Sequence, residues 1–112
     1  MIGLSEIRTI AMALADVEEG PPVRAARRIA AFKVAGKSFL GLEQGGMSMT
    51  VSLSENEAKS FVAKNPKAYE EIRRNGKFLG LRGDLSAVPA DLVRDLIESS
   101  WRHSALRPKR TK

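Results

Sequence analysis

The sequence predicts an α+β fold: a two-layer sandwich in which an antiparallel meander sheet is covered on one face by the N- and C-terminal helices. Three observations predict it. Met47, Met49, Val51 and Leu53 alternate with Ser48, Thr50 and Ser52, which is the two-residue period of a half-buried strand. Ile7, Ile10, Ala11 and Leu14 near one end, and Leu92, Val93, Leu96, Ile97 and Trp101 near the other, each fall on one face of a helix. Between these stripes, short apolar runs are separated by glycine-marked turns.

The first helix has Ser5 as its expected cap and is expected to end at "EEGPP", where Gly20 permits a turn and Pro21 and Pro22 cannot continue a helix. "VRAARRI" (23–29) fits a loop or a short helical turn and is read as a loop. Phe32 and Val34 flank Lys33 as on a strand, and Gly36 sits where a tight hairpin needs positive φ. Phe39 to Leu42 is the return strand. "EQGG" (43–46) turns the chain into the alternating strand already noted, whose methionines are expected to be buried. The glycines therefore mark hairpins. A phosphate loop would open a helix after a strand; "AGKS" (35–38) matches only the end of such a motif and leads into strand-like "FLGLE".

"SENE" (54–57) is a capping box for a short helix carrying Ala58, Phe61 and Val62, which "NP" (65–66) stops. "KAYEEI" (67–72) fits either a helical turn or a short strand, and its pattern does not arbitrate. Asn75-Gly76 is a strong turn signal before a strand from Phe78 to Leu85. Pro89 opens the last helix, where Glu98 and Arg102 stand at a favourable i, i+4 spacing. Phe32, Phe39, Phe61, Phe78 and Trp101 are the expected core aromatics, with Tyr69 partly exposed. Residues 1–106 read as a single domain. Residues 107–112 form a basic tail without an apolar anchor, expected to be disordered.

The 112 residues suit one compact core. The absence of cysteine excludes disulfides, thiol nucleophiles and cysteine-ligated metals. The first residues lack the basic region of a signal peptide, and no apolar run approaches the ~18 residues of a membrane span. A cytoplasmic, monomeric protein without membrane contact or cofactor is the expectation. The formal charge is +6, with the excess lysine and arginine lying beyond residue 23. A positive field of this kind attracts polyanions.

Nothing assembles into a catalytic constellation. His103 is the sole histidine; a general base also needs a partner within reach. Glu18 and Glu19 are adjacent on an expected turn and do not converge, and Glu55, Glu57, Glu70 and Glu71 read as a cap and solvated faces. No metal-ligand spacing occurs. The clustered cations are more informative. Arg24, Arg27 and Arg28 precede the first hairpin, Lys33 and Lys37 lie on it, Arg73, Arg74 and Lys77 surround the Asn-Gly turn, Arg82 follows, and Arg107, Lys109 and Arg110 lie in the tail. If hairpin tips and tail share one side, they form a phosphate-contacting surface, with Gly36, Gly45, Gly46 and Gly76 shaping the turns that present it. The chain has no helix-turn-helix spacing, zinc-finger ligands or aromatic RNA platform, so base-specific readout is not expected.

"VEEGPP" followed by "AAFKVAGKSFLGL", with Phe32, Lys33, Val34, Gly36, Lys37 and Phe39 at the hairpin positions, resembles the MmcQ/YjbR family. "LIESSWRHSALRPKR" (96–110) is similar to that family's closing helix and basic tail. The resemblance implies a small fold with two helices stacked on an antiparallel sheet in a frataxin-like arrangement. It also implies a non-enzymatic, DNA-binding role through a double-wing mode in which hairpins meet nucleic acid. A frataxin-like fold raises iron binding, but that use depends on an acidic ridge, and the first helix offers only Glu6, Asp16 and the Glu18–Glu19 pair. The expected function is thus weak, mainly backbone-directed binding of duplex DNA. The alternative is a protein-interaction or small acidic-ligand module using the cleft between "EEGPP" and the sheet.

Overall fold

The computed structural model describes residues 3–20, 28–43, 45 and 47–105, with the side chain of Arg28 outside the description. The elements run α1 (Leu4–Met12), β1 (Val17–Gly20), β2 (Arg28–Val34), β3 (Lys37–Glu43), β4 (Ser48–Val51), α2 (Glu55–Lys64), β5 (Tyr69–Arg74), β6 (Lys77–Asp84) and α3 (Ala90–Ala105). The six strands form one sheet in the order β1-β2-β3-β4-β6-β5, every neighbouring pair antiparallel. The α+β two-layer architecture is as expected. The sheet is wider than the expected meander, and its last two strands are transposed, so that β6 rather than β5 lies beside β4.

Burial places the helices on one face. A Cβ on Gly83 would stand 3.6 Å from Met49, 3.7 Å from Leu96 of α3 and 3.8 Å from Tyr69, so these groups meet on the same side. There Phe32, Leu40, Leu42, Met49 and Leu81 of the sheet pack against Ile7 of α1 and Val93, Leu96 and Ile97 of α3. Each such side chain withdrawn from water contributes roughly 1.5–3 kcal/mol before entropy is counted. α2 closes the layer over β5 and β6, with Phe61 meeting Tyr69 edge-on, ring centroids 5.5 Å apart. Tyr69 is therefore buried (4% exposed), contrary to the expectation, because pairing with β6 turns it beneath α2 and α3. Phe32 and Phe39 are fully buried, while Phe61, Phe78 and Trp101 pack at the margin of the core.

Several local expectations are corrected. Gly3, not Ser5, precedes the first helical residue of α1, and the Glu6 carboxylate accepts from its N–H at 3.2 Å. The helix stops at Met12, well before "EEGPP", and Asp16 takes a left-handed turn (φ 60°) into β1. Val17–Gly20 is thus an edge strand paired with β2, rather than a turn. Residues 23–27 of the expected loop lie outside the described residues, as do Pro21 and Pro22; Arg28 and Ile29 belong to β2. "KAYEEI" supplies the start of strand β5, because Glu70, Glu71 and Ile72 find partners on β6. Met47 is 46% exposed, and the buried alternation begins at Met49. Glu98 and Arg102 form no ion pair, and Arg102 donates instead to Ser99 Oγ at 3.4 Å.

Other signals hold. Ser54 caps α2, accepting from the N–H of Glu57 at 3.2 Å while its hydroxyl donates to the Glu57 carboxylate. Asn65 ends the helix. The two tight hairpins turn on Ala35-Gly36 (φ 53° and 77°) and Asn75-Gly76 (φ 52° and 79°), the pair of positive φ values that two-residue hairpins require.

Candidate nucleic-acid interface

Strand direction decides where the hairpin tips go. β3 and β6 both run antiparallel to β4, so they run the same way as each other. Leu40, Val51 and Leu81 share one row across them, and each outer strand starts from its hairpin turn shortly before that row. The Ala35-Gly36 and Asn75-Gly76 tips therefore project from the same end of the sheet. β4 stops at Val51 between them, which leaves β3 and β6 about 10 Å apart, two strand spacings. Ser38, Thr50, Ser52, Ile72 and Leu79 line a shallow recess of about 140 Å³ on the helix-free face between these hairpins.

The cations divide into two groups. Lys33, Lys37, Arg74 and Lys77, on the flanks of the two tips, are exposed and have no carboxylate within 4.0 Å among the described residues. Arg73 and Arg82 are already engaged. Arg73 bridges Glu55 of α2 and Glu71 of its own strand, both at 2.6 Å, and lies over the Phe78 ring. Its hydrogen bond holds the Glu55 carboxyl below the usual carboxylate range. Arg82 reaches across β4 to Glu43 at 2.7 Å and contacts Glu70 at 3.2 Å. Both arginines staple the sheet, so a phosphate would have to displace their carboxylates.

α3 is oriented so that its C-terminus approaches the tips: Leu96 packs beside Gly83, while Ser100, a turn later, bonds to Phe39 near the start of β3. Arg102 and His103 occupy the last turn, where cations complement the helix dipole. Arg24, Arg27 and the side chain of Arg28, as well as Arg107, Lys109, Arg110 and Gly46, lie outside the described residues.

The family model for YjbR matches residues 12–103. The chain belongs to the YjbR family. The family match takes in both hairpins and most of α3. The fold of this YjbR chain is also that of a crystal structure of the Deinococcus radiodurans protein DR2400, a DUF419 domain. The TM-score is 0.72 and the identity 19%, covering 90% of this chain and 77% of that one. No curated protein matches the sequence.

Sequence reasoning missed two features of this YjbR surface. The Arg73 and Arg82 staples arise from residues on different strands and on α2, and linear spacing does not reveal such pairs. Thr50, expected among solvated hydroxyls, is 7% exposed, and its Oγ1 is buried without a hydrogen-bond partner among the described residues. Among the described residues, a cavity of about 860 Å³ lies away from the tips, between α1 and the start of α3, where Glu6 and Asp91 outnumber Arg94. That balance does not suit an acidic ligand. Among the described residues no cluster of His, Asp or Glu is spaced to hold a metal, and no helix is long and apolar enough to cross a membrane.

Proposed function

We propose that this YjbR protein is a non-enzymatic, cytoplasmic binder of duplex DNA that grips the phosphate backbone with two hairpins. The observation that carries this reading is the convergence of both tips at one end of the sheet, with Lys33, Lys37, Arg74 and Lys77 left unengaged among the described residues. Lysines on short turns act as point charges that neutralise phosphates without reading bases. Arg73 and Arg82 hold the sheet in shape rather than meeting DNA.

The test is an anisotropy titration of a DNA duplex over a range of salt concentrations. Affinity should fall with salt at a log–log slope of ~0.9 per neutralised phosphate. Lys37→Glu/Lys77→Glu, one change on each hairpin, should weaken binding more than tenfold. Arg94→Glu/Lys67→Glu, with the same change in net charge at the opposite end of the sheet from the tips, should have a much smaller effect. Equal losses from the two variants would reduce the interaction to net charge and remove the hairpin reading.

A further inference from the structure

We infer that two copies of this chain associate edge to edge through β5, antiparallel about a two-fold axis at Ile72, joining their sheets into one. β5 is the terminal strand of the sheet, and among the described residues no segment pairs with its outer edge. Its backbone there presents unpaired N–H and C=O groups, the usual template for strand addition. The strand is also regular. The bulge between β5 and β6 inserts its extra residue, Leu79, on β6, because Ile72 opposes Gly80 and Arg73 opposes Phe78. The outer edge of β5 therefore keeps its two-residue repeat.

Geometry and charge then select one register. In a self-pairing antiparallel edge, outward-facing groups must meet outward-facing groups, so the axis passes through a residue and not between two. The strand reads Tyr69-Glu70-Glu71-Ile72-Arg73-Arg74. An axis at Glu71 sets that carboxylate against its own copy, and an axis at Arg73 does the same with two guanidinium groups. An axis at Ile72 places Glu70 opposite Arg74 and Glu71 opposite Arg73, twice over. Opposite charges directly across strands are favourable and like charges are not, and a two-fold contact must be complementary to itself.

The side chains fit this division. Tyr69, Glu71 and Arg73 lie on the helix face, and Glu70, Ile72 and Arg74 on the other. Arg73 is already held by two carboxylates, so the Glu70–Arg74 pair supplies most of the selectivity. Arg74 has no partner among the described residues, and the Glu70 side chain remains 70% exposed beside Arg82. At the axis, half-buried Ile72 would meet its copy on the helix-free face, and the pairing would cover it. α2 has an acidic first turn (Glu55, Glu57) and a basic last turn (Lys64). The same axis sets it antiparallel to its copy, acidic end toward basic end.

The experiment is analytical ultracentrifugation of the full chain without DNA, from micromolar to millimolar protein, with hydrogen exchange at β5 and a thermal melt for each variant. The wild type should move from single to double mass as concentration rises, with the outer amides of β5 gaining protection. Arg74→Glu should weaken association at least tenfold, and the charge swap Glu70→Arg/Arg74→Glu should restore it. Ile72→Lys, which puts two cations at the axis, should abolish it. A wild type of single mass at every concentration overturns the proposal, and so does a folded Arg74→Glu variant that associates as tightly as the wild type. Since no nucleic acid is present, the outcome is independent of the DNA reading.

Discussion

The hydroxyl of Ser100 on α3 donates to the carbonyl oxygen of Phe39 on β3 at 2.6 Å, buried within the core. Phe39 is the extra residue of a bulge: Phe32 opposes Leu40 and Lys33 opposes Ser38, leaving Phe39 unopposed. That bulge lets two consecutive side chains, Phe39 and Leu40, both reach 1% exposure. The same carbonyl accepts from the N–H of Ser52 at 3.0 Å. Ser100 thus ties α3 to the irregular point of the sheet from which the first hairpin extends.

Ser100→Ala should therefore destabilise the fold by about 1 kcal/mol, not more, since the Phe39 oxygen keeps its bond from Ser52. Urea unfolding should show a lower midpoint with an unchanged slope. A changed slope would indicate that the bulge rearranges.

Tyr69 is buried, and its hydroxyl has no partner among the described residues. Burial, reinforced by the negative charge of Asp95, raises its pKa above the ordinary tyrosine value. A raised value in the folded state means that stability is intact below pH ~10 and falls as the pH rises above it, when only the unfolded chain ionises readily. Tyr69→Phe removes an unsatisfied polar atom, so it should leave neutral-pH stability unchanged or raise it by up to about 1–3 kcal/mol. It should also flatten the alkaline limb of a stability–pH profile. A clear loss of stability at pH 7 would mean that the hydroxyl has a partner.

The two-residue turns of the hairpins, Ala35-Gly36 and Asn75-Gly76, differ at their first residue. Asn75 suits the left-handed conformation, whereas Ala35 adopts it (φ 53°) with no side-chain compensation. Ala35→Asn should raise stability by roughly 0.5–1 kcal/mol, seen as a higher thermal midpoint. The charge of the tip is unaltered, so DNA affinity should not change.

Acid should weaken the fold. The Arg8 guanidinium, bound to Glu19 at 2.7 and 3.0 Å, holds that carboxyl below its ordinary range. Arg73 does the same to Glu55, and the Ser86 hydroxyl and N–H to Asp84. Depressed values in the folded state mean that the stabilisation is present at neutral pH and is lost as the pH falls through ~4 and below. Urea midpoints should drop between pH 6 and pH 3, and Arg8→Met should shrink that drop by removing the contribution of Glu19. An identical acid dependence in the variant would show that this pair does not link α1 to β1 in solution.

What the sequence determined by itself is local. The alternation from Met49 to Leu53 fixed a strand, "SENE" an N-cap, Asn75-Gly76 a hairpin, and Leu92 to Trp101 a buried helical stripe, because each depends on residues a few positions apart. What the tertiary structure decided depends on partners distant in the chain. "VEEG" carries no strand pattern of its own and becomes β1 only by pairing with β2. "KAYEEI" became a strand, and Tyr69 buried, once β6 lay beside it. Which arginines are engaged and which lysines are not followed from side chains brought together across strands and from α2. The convergence of the two tips followed from strand order, because β6 and β3 flank β4 and both run opposite to it. Hydrogen-bonded pairing and ion pairing are relations between segments, and no single segment contains them.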